Sequence, residues 1–249
     1  MLASAGAIYG LAASSAFGFS KLEVTGAQIT AQADVSTRLA LTDGQNLFKL
    51  STQPLVARLL EMPAVASAEI SIGLPDIVAV KLRERVAIVI WQVGKRRFLV
   101  DDRGTLFGEV GTEVAPSVAT LPIVADDRAA SSGLAVASIL DPVDLDAATR
   151  LASLTPAQVG SSASALAVGV TDTYGFVVHS VPESWTAVFG FYGLSLRAPE
   201  LVPGQVQLLQ GLLAGREAQV GMIILADEHA GTYFPKPTPK VSPKATTKP

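Results

Sequence analysis

The sequence predicts an α+β fold: a small strand–helix–helix–strand–strand module, then a mostly antiparallel β domain carrying two helices. Three observations predict it. Apolar residues recur at helical spacing between Thr30 and Leu60, then alternate with polar ones from Ala66 to Arg83. Beyond Ala87, short apolar runs follow one another between polar turns. Within that second region, only the stretches opened by Asp141 and Gly204 return to helical spacing.

Leu22-Glu23-Val24-Thr25-Gly26 reads as a short strand closed by a turn glycine. Thr30 is placed to N-cap a helix carrying Val35, Leu39 and Leu41, because its hydroxyl can accept from an otherwise unpaired first-turn amide; Gly44-Gln45-Asn46 ends that helix. After Leu47-Phe48-Lys49-Leu50, Ser51 or Thr52 opens a second helix with Leu55, Val56, Leu59 and Leu60 on one face. Pro63 stops it, since proline has no amide hydrogen and excludes the preceding residue from helical geometry. Ala66, Ala68, Ile70, Ile72 and Leu74 then alternate with polar or small residues, Pro75-Asp76 turns the chain, and Val78, Val80 and Leu82 alternate with Ala79, Lys81 and Arg83. This is an antiparallel pair wet on one face. Arg83-Glu84-Arg85, where the second strand leaves the module, is either a solvated strand end or a binding surface.

Ala87 to Trp91 is continuously apolar, as a strand buried on both faces should be. Gly94-Lys95 turns, Phe98-Leu99-Val100 returns, and Asp101-Asp102-Arg103-Gly104 makes a polar turn before Thr105-Leu106-Phe107. Trp91 reads as a core aromatic rather than a ligand platform. Gly111 to Ser138 reads mostly as loop, apart from Leu121-Pro122-Ile123-Val124. Asp141 is a good N-cap with Pro142 at the first helical position; Leu145, Ala148, Leu151 and Ala152 form the buried stripe and Pro156 ends the helix. Leu166 to Val170, Phe176 to Val178 and Trp185 to Phe191 are strands. Gly204 to Leu213 is a helix with Val206, Leu209, Leu212 and Leu213 inward, Val220 to Leu225 is a strand, and Thr232-Tyr233-Phe234 closes the fold.

Composition bounds the rest. The 249 residues include no cysteine, which removes disulfides, thiolate metal sites and thiol nucleophiles. The net charge is −3, and the last sixteen residues hold four lysines and no acid, so the preceding 233 residues carry −7. A body that acidic is a poor nucleic-acid binder. Met1 to Phe19 has no charged residue. As a helix at about 1.5 Å per residue it would reach roughly 28 Å, near the ~30 Å of a bilayer core. It is rich in alanine, glycine and serine and has no basic region before it, so it is expected to be a transmembrane helix whose natural start lies upstream, with a flexible apolar leader as the alternative. From Pro235 the chain turns to proline, lysine, threonine and serine, the composition of an extended tail.

Taken in order, Pro63-Ala64-Val65-Ala66-Ser67-Ala68, Leu74-Pro75, Arg83-Glu84-Arg85, Trp91 and Asp101-Asp102-Arg103-Gly104 resemble the POTRA domain and following β domain of the bacterial cell-division family FtsQ/DivIB. The match is close from Phe19 to Val124 and looser beyond: members often carry Asp-x-Arg in the penultimate strand, where this chain has Gly221-Met222-Ile223. The resemblance implies a membrane anchor at 1–19, a POTRA domain at 20–86, a β domain at 87–234 and a tail at 235–249. It also implies a single-pass protein with its bulk outside the cytoplasm at the division septum, acting as a scaffold and not as an enzyme. Its last strand would be an edge to which FtsB/FtsL-like coiled-coil division proteins add a strand. That strand falls on Gly231 to Phe234, which makes Thr232, Tyr233 and Phe234 the partner-binding candidates; the alternative is that Tyr233 and Phe234 cap the domain's own core. Arg83 and Arg85 are candidates for a second surface, near the bilayer or membrane-embedded partners.

Catalytic constellations are scarce. His179 and His229 lack metal-ligand spacing, no phosphate-cradling glycine loop or Gly-x-Ser-x-Gly occurs, and Asp101-Asp102 and Asp126-Asp127 are adjacent pairs on expected turns. No cofactor or metal is expected. Two other readings stand beside the scaffold: a POTRA-bearing envelope protein that handles polypeptides, which would need a long series of barrel strands, and a wall-associated hydrolase or ligand-binding protein, which would need convergent acids or a metal cluster.

Overall fold

The computed structural model describes residues 17–111, 116–193 and 197–237. The expected membrane helix, save its last three residues, and the tail beyond Pro237 lie outside them. No helix among the described residues is long and apolar enough to cross a membrane.

The N-terminal module is a three-stranded sheet in the order β1-β3-β2. β1 (Lys21–Thr25) runs parallel to β3 (Ile77–Glu84), and β2 (Val65–Gly73) pairs antiparallel to β3 with Ile70 opposite Val80. Helices α1 (Gln32–Leu39) and α2 (Thr52–Leu60) cover it. Val35, Leu39, Leu55 and Leu59 from the helices bury against Val65, Val78, Val80 and Leu82 from the sheet. Full burial of such a side chain stabilises by about 1.5–3 kcal/mol, which lets a small module hold its own core.

Two expectations about this module are corrected. Ala31, not Thr30, occupies the N-cap of α1 and supplies no side-chain acceptor. The Glu84 carboxylate takes over that end instead, accepting the amides of Gln28, Ile29 and Thr30 at 2.8, 2.8 and 2.7 Å. At the other end, α1 stops at Leu39 because Ala40 adopts a left-handed conformation, well before Gly44-Gln45-Asn46. Leu41 therefore packs on the core from outside the helix.

The second region is a nine-stranded sheet, order β12-β11-β10-β9-β8-β7-β4-β5-β6. Its strands are β4 (Val89–Val93), β5 (Arg96–Val100), β6 (Leu106–Glu109), β7 (Ile123–Asp126), β8 (Ala165–Thr171), β9 (Gly175–Val181), β10 (Thr186–Gly190), β11 (Val220–Leu225) and β12 (Gly231–Pro235). Neighbours are mostly antiparallel, but β4/β7, β7/β8 and β10/β11 are parallel. Ile123–Asp126, expected as a patch within a loop, is thus an interior strand. α3 (Pro116–Ala119) and a helical turn at Ala129–Gly133 flank it. The first strand is displaced by two residues from the expected Ala87–Trp91, running Val89–Val93 with Ala87 and Ile88 preceding it.

α4 (Pro142–Ala152) and α5 (Val202–Leu213) pack on one face of this sheet. Asp141 caps α4, accepting from the Val143 amide at 2.8 Å. The helix ends at Ala152, and Pro156 opens a separate turn. In α5 the buried stripe is Val202, Gln205, Leu209 and Leu213, with Val206 and Leu212 only partly buried at its flank. At the β4-β5-β6 end the opposite face is also covered: Ile90, Leu99 and Phe107 bury under Ala64, Ala87, Val118 and Leu121. Ala64 belongs to the N-terminal module, so the two regions share apolar contact.

Candidate interaction surfaces

The two edges of the large sheet are built differently. Beyond β6, residues 137–139 lie alongside as a partial extra strand: the Leu106 amide donates to the Ser138 carbonyl at 2.9 Å, the Ala137 amide donates to the Leu106 carbonyl at 2.7 Å, and Thr105 bridges Ile139. β12 has no such cover among the described residues, and all five of its residues are exposed. Alternate residues of an antiparallel edge strand direct backbone N–H and C=O outward, which is a template for another strand.

Local chemistry holds β12 in place. Its hairpin turn is fixed by Asp227, whose carboxylate accepts the amides of His229 and Ala230 at 2.7 Å each. Those two amides outweigh a slight burial cost and hold the Asp227 pKa below its usual value. At the far end the Lys236 amide donates to the Gln219 carbonyl at 2.8 Å, and its ammonium donates to the Ser184 hydroxyl at 2.8 Å. Register puts Thr232 opposite Ile224, Tyr233 opposite Ile223 and Phe234 opposite Met222. Ile223 belongs to the helix-covered core, so Tyr233 lies on that face, beside α5, with the Arg216 guanidinium 6.0 Å from its ring centre. Phe234 lies on the other face. Tyr233 is 40% and Phe234 49% exposed, so neither completes the domain's own core.

The second candidate surface lies at the joint between the two regions, where Arg83, Glu84 and Arg85 have three different fates. Arg83 is exposed. Glu84 is spent on the amides of residues 28–30; burial disfavours its charge, but those amides outweigh it and lower its pKa. Arg85 donates from Nε to the Pro63 carbonyl at 2.8 Å and from Nη1 to the Asp101 carboxylate at 2.5 Å. Asp101 also accepts the amides of Arg103 and Thr105 at 3.0 and 2.8 Å. Burial opposes its charge, yet these donors hold its pKa below the usual carboxylate range. Arg85 and Asp101 therefore clamp the N-terminal module to the β5–β6 turn. A groove of about 400 Å³ runs past them, lined by Ser67, Arg83, Val86, Asp102 and Arg103 among others.

The pairing of Asp101 with Arg85 is not legible from the residues alone, since a turn aspartate and a strand-end arginine sixteen residues apart carry no periodic signal. The other adjacent acids diverge similarly. Asp126 is buried and accepts from the Trp91 indole at 3.0 Å, the Ser131 hydroxyl at 2.7 Å and the Arg128 guanidinium at 2.7 and 2.9 Å, which makes it a core bridge. Among the described residues no group of acids and histidines could hold a metal ion.

Residues 17–85 match the family model of the POTRA domain, FtsQ-type. Domains of that kind are in general not enzymes. None of the curated proteins compared matches the chain.

Proposed function

We infer that this chain, a division-related protein whose residues 17–85 are an FtsQ-type POTRA domain, works as a membrane-anchored, non-enzymatic scaffold of the bacterial division machinery. The observation that carries this reading is the asymmetry of the large sheet: one edge is covered by the chain itself, the other ends in an exposed strand bearing Tyr233 and Phe234. An extended segment of an FtsB/FtsL-like coiled-coil protein adds to β12 through backbone hydrogen bonds, and Thr232, Tyr233 and Phe234 set its register. Tyr233 and Phe234 supply the aromatic contact that commonly dominates such interfaces.

Arg83 serves as an accessible contact on the POTRA side, and Arg85 acts as a positioning residue that sets the angle between that domain and the β12 edge. The uncharged N-terminal run anchors the protein as a single-pass span, with the folded bulk outside the cytoplasm at the septum. Depletion in cells carrying a fluorescent fusion tests this. Filamentation together with mid-cell localisation is expected, whereas normal division with an even envelope distribution would count against it.

A further inference from the structure

We propose that the N-terminal end of the POTRA domain sits in the membrane–water interface, with Phe17, Phe48 and Leu74 forming its lipid-facing contact. This rests on the membrane-anchor reading above and extends it to a surface of the folded domain.

Three separate segments converge at that end. The Phe19 amide donates to the Gln45 carbonyl at 2.8 Å and the Gly44 amide returns a bond to the Phe19 carbonyl at 2.8 Å, so the entering chain is stitched to the loop that carries Phe48. One residue later, the Ser20 and Lys21 amides both donate to the Asp76 carbonyl at 3.0 and 3.2 Å, and the Ser20 hydroxyl donates to the Asp76 carboxylate. That joins the same strand to the β2–β3 hairpin, whose tip carries Leu74. Phe48 is 53% and Leu74 54% exposed. Phe17 stacks edge-on against Phe48 with ring centres 5.0 Å apart.

What lies beyond this patch is written in the sequence. Residues 1–16 contain no charge and lead directly into Phe17. Phe19 is already packed in the POTRA core. The handover from apolar run to folded domain therefore takes place at Phe17 and Gly18, and Gly18 itself bridges Asn46. Phe17 is thus both part of the uncharged run and a contact of the folded domain, and the Phe48 ring lies 5.0 Å from it. Exposed aromatic and aliphatic groups in the membrane–water interface gain from leaving water, as interfacial aromatics do.

Charge at this end points to an apolar contact rather than an electrostatic one. The Phe48 loop carries one acid and one base, Asp43 and Lys49. Lys21 is paired with Glu23 at 2.7 Å, and Asp76 is bonded to Ser20. With no basic cluster, attachment should be as strong on zwitterionic as on anionic lipid.

The test uses the full chain reconstituted in phosphatidylcholine vesicles, with or without bromine on the acyl chains as a short-range quencher. Both native tryptophans, Trp91 and Trp185, are buried in the β domain and give a background that bromination should leave unchanged. Phe48→Trp and, independently, Leu74→Trp should each add emission that brominated lipid largely removes. Tyr174→Trp, exposed at the β8–β9 turn, should add emission that bromination spares. Added emission from positions 48 and 74 that survives bromination while the protein floats with the vesicles overturns the proposal and leaves the anchor standing. Equal quenching at position 174 overturns it too, as general adsorption. A chain that does not float with vesicles overturns the anchor reading and this inference together.

Discussion

Glu217 follows α5 and ties together three parts of the β domain. Its carboxylate accepts from the Ser161 hydroxyl, from the Ser162 amide and hydroxyl, and from the Trp185 indole at 3.0 Å. Burial alone would raise its pKa, but these donors outweigh it and pull the value from 4.5 to about 2. A carboxyl whose folded pKa is depressed contributes stability that is fully present above pH 4.5 and is lost as pH falls towards 2. Glu217→Gln should therefore unfold at lower urea than the parent at neutral pH, and the gap should close on acidification through that window. Asp126 makes a sharper case, since removing it leaves the Arg128 guanidinium and the Trp91 indole without their buried acceptor. Arg128 keeps Asp144 through Nη1 at 2.6 Å, so Asp126→Ala should cost about 1–3 kcal/mol in denaturant unfolding, the usual penalty for leaving a buried donor unsatisfied. Neither role was legible in the sequence, because hydrophobic periodicity assigns no partner to a polar side chain. Gln205 illustrates the same limit. It occupies the buried stripe of α5 because its amide accepts the Tyr192 hydroxyl at 2.6 Å and donates to the Phe189 carbonyl at 3.2 Å.

Elements whose period and punctuation agree were the readable ones. β2 and β3 follow their alternation from Ala68 to Ile72 and from Val78 to Arg83, while a bulge at Ala66 buries Val65 in its place and Leu74 is exposed at the turn; α4 starts where Asp141-Pro142 directs. β7 was missed as an element because a four-residue strand between two parallel partners needs no alternation, and its flanks look like loop. The end of α1 was missed because Ala40, in a left-handed conformation that alanine seldom adopts, gives no sequence signal. Gly175 does belong to a legible turn, but its close contact is a matter of tertiary structure. Its φ is +64°, and a Cβ there would come within 2.4 Å of the Gly190 carbonyl oxygen in the β9–β10 bulge. Gly175→Ala should lower the urea midpoint by the equivalent of more than about 1 kcal/mol, since alanine is both strained and obstructed at that position.

Across the whole molecule, the two regions were legible from composition and period, but not the joint that fixes them. Arg85 reaches the Pro63 carbonyl on one side and Asp101 on the other, and Ala64 packs over Ile90, Leu99 and Phe107. Arg85→Ala removes charge-assisted bonds worth about 1.5–3 kcal/mol each before relaxation. Both domains should stay folded while solution scattering records a broader range of interdomain distances; unchanged scattering would place the rigidity in the apolar contact alone. Arg83→Ala should leave scattering as it is, because Arg83 is exposed at the groove.

Scaffolding through the large sheet requires β12 to be the strand to which a coiled-coil division protein adds. The most direct measurement is the affinity of the full chain, in nanodiscs, for an FtsB/FtsL-like coiled-coil protein, with and without the double substitution Tyr233→Lys, Phe234→Lys. Both positions are exposed, so the variant should fold and melt like the parent. A loss of affinity of at least about tenfold, which is 1.4 kcal/mol, is the predicted result. Equal binding by the folded double variant would contradict it.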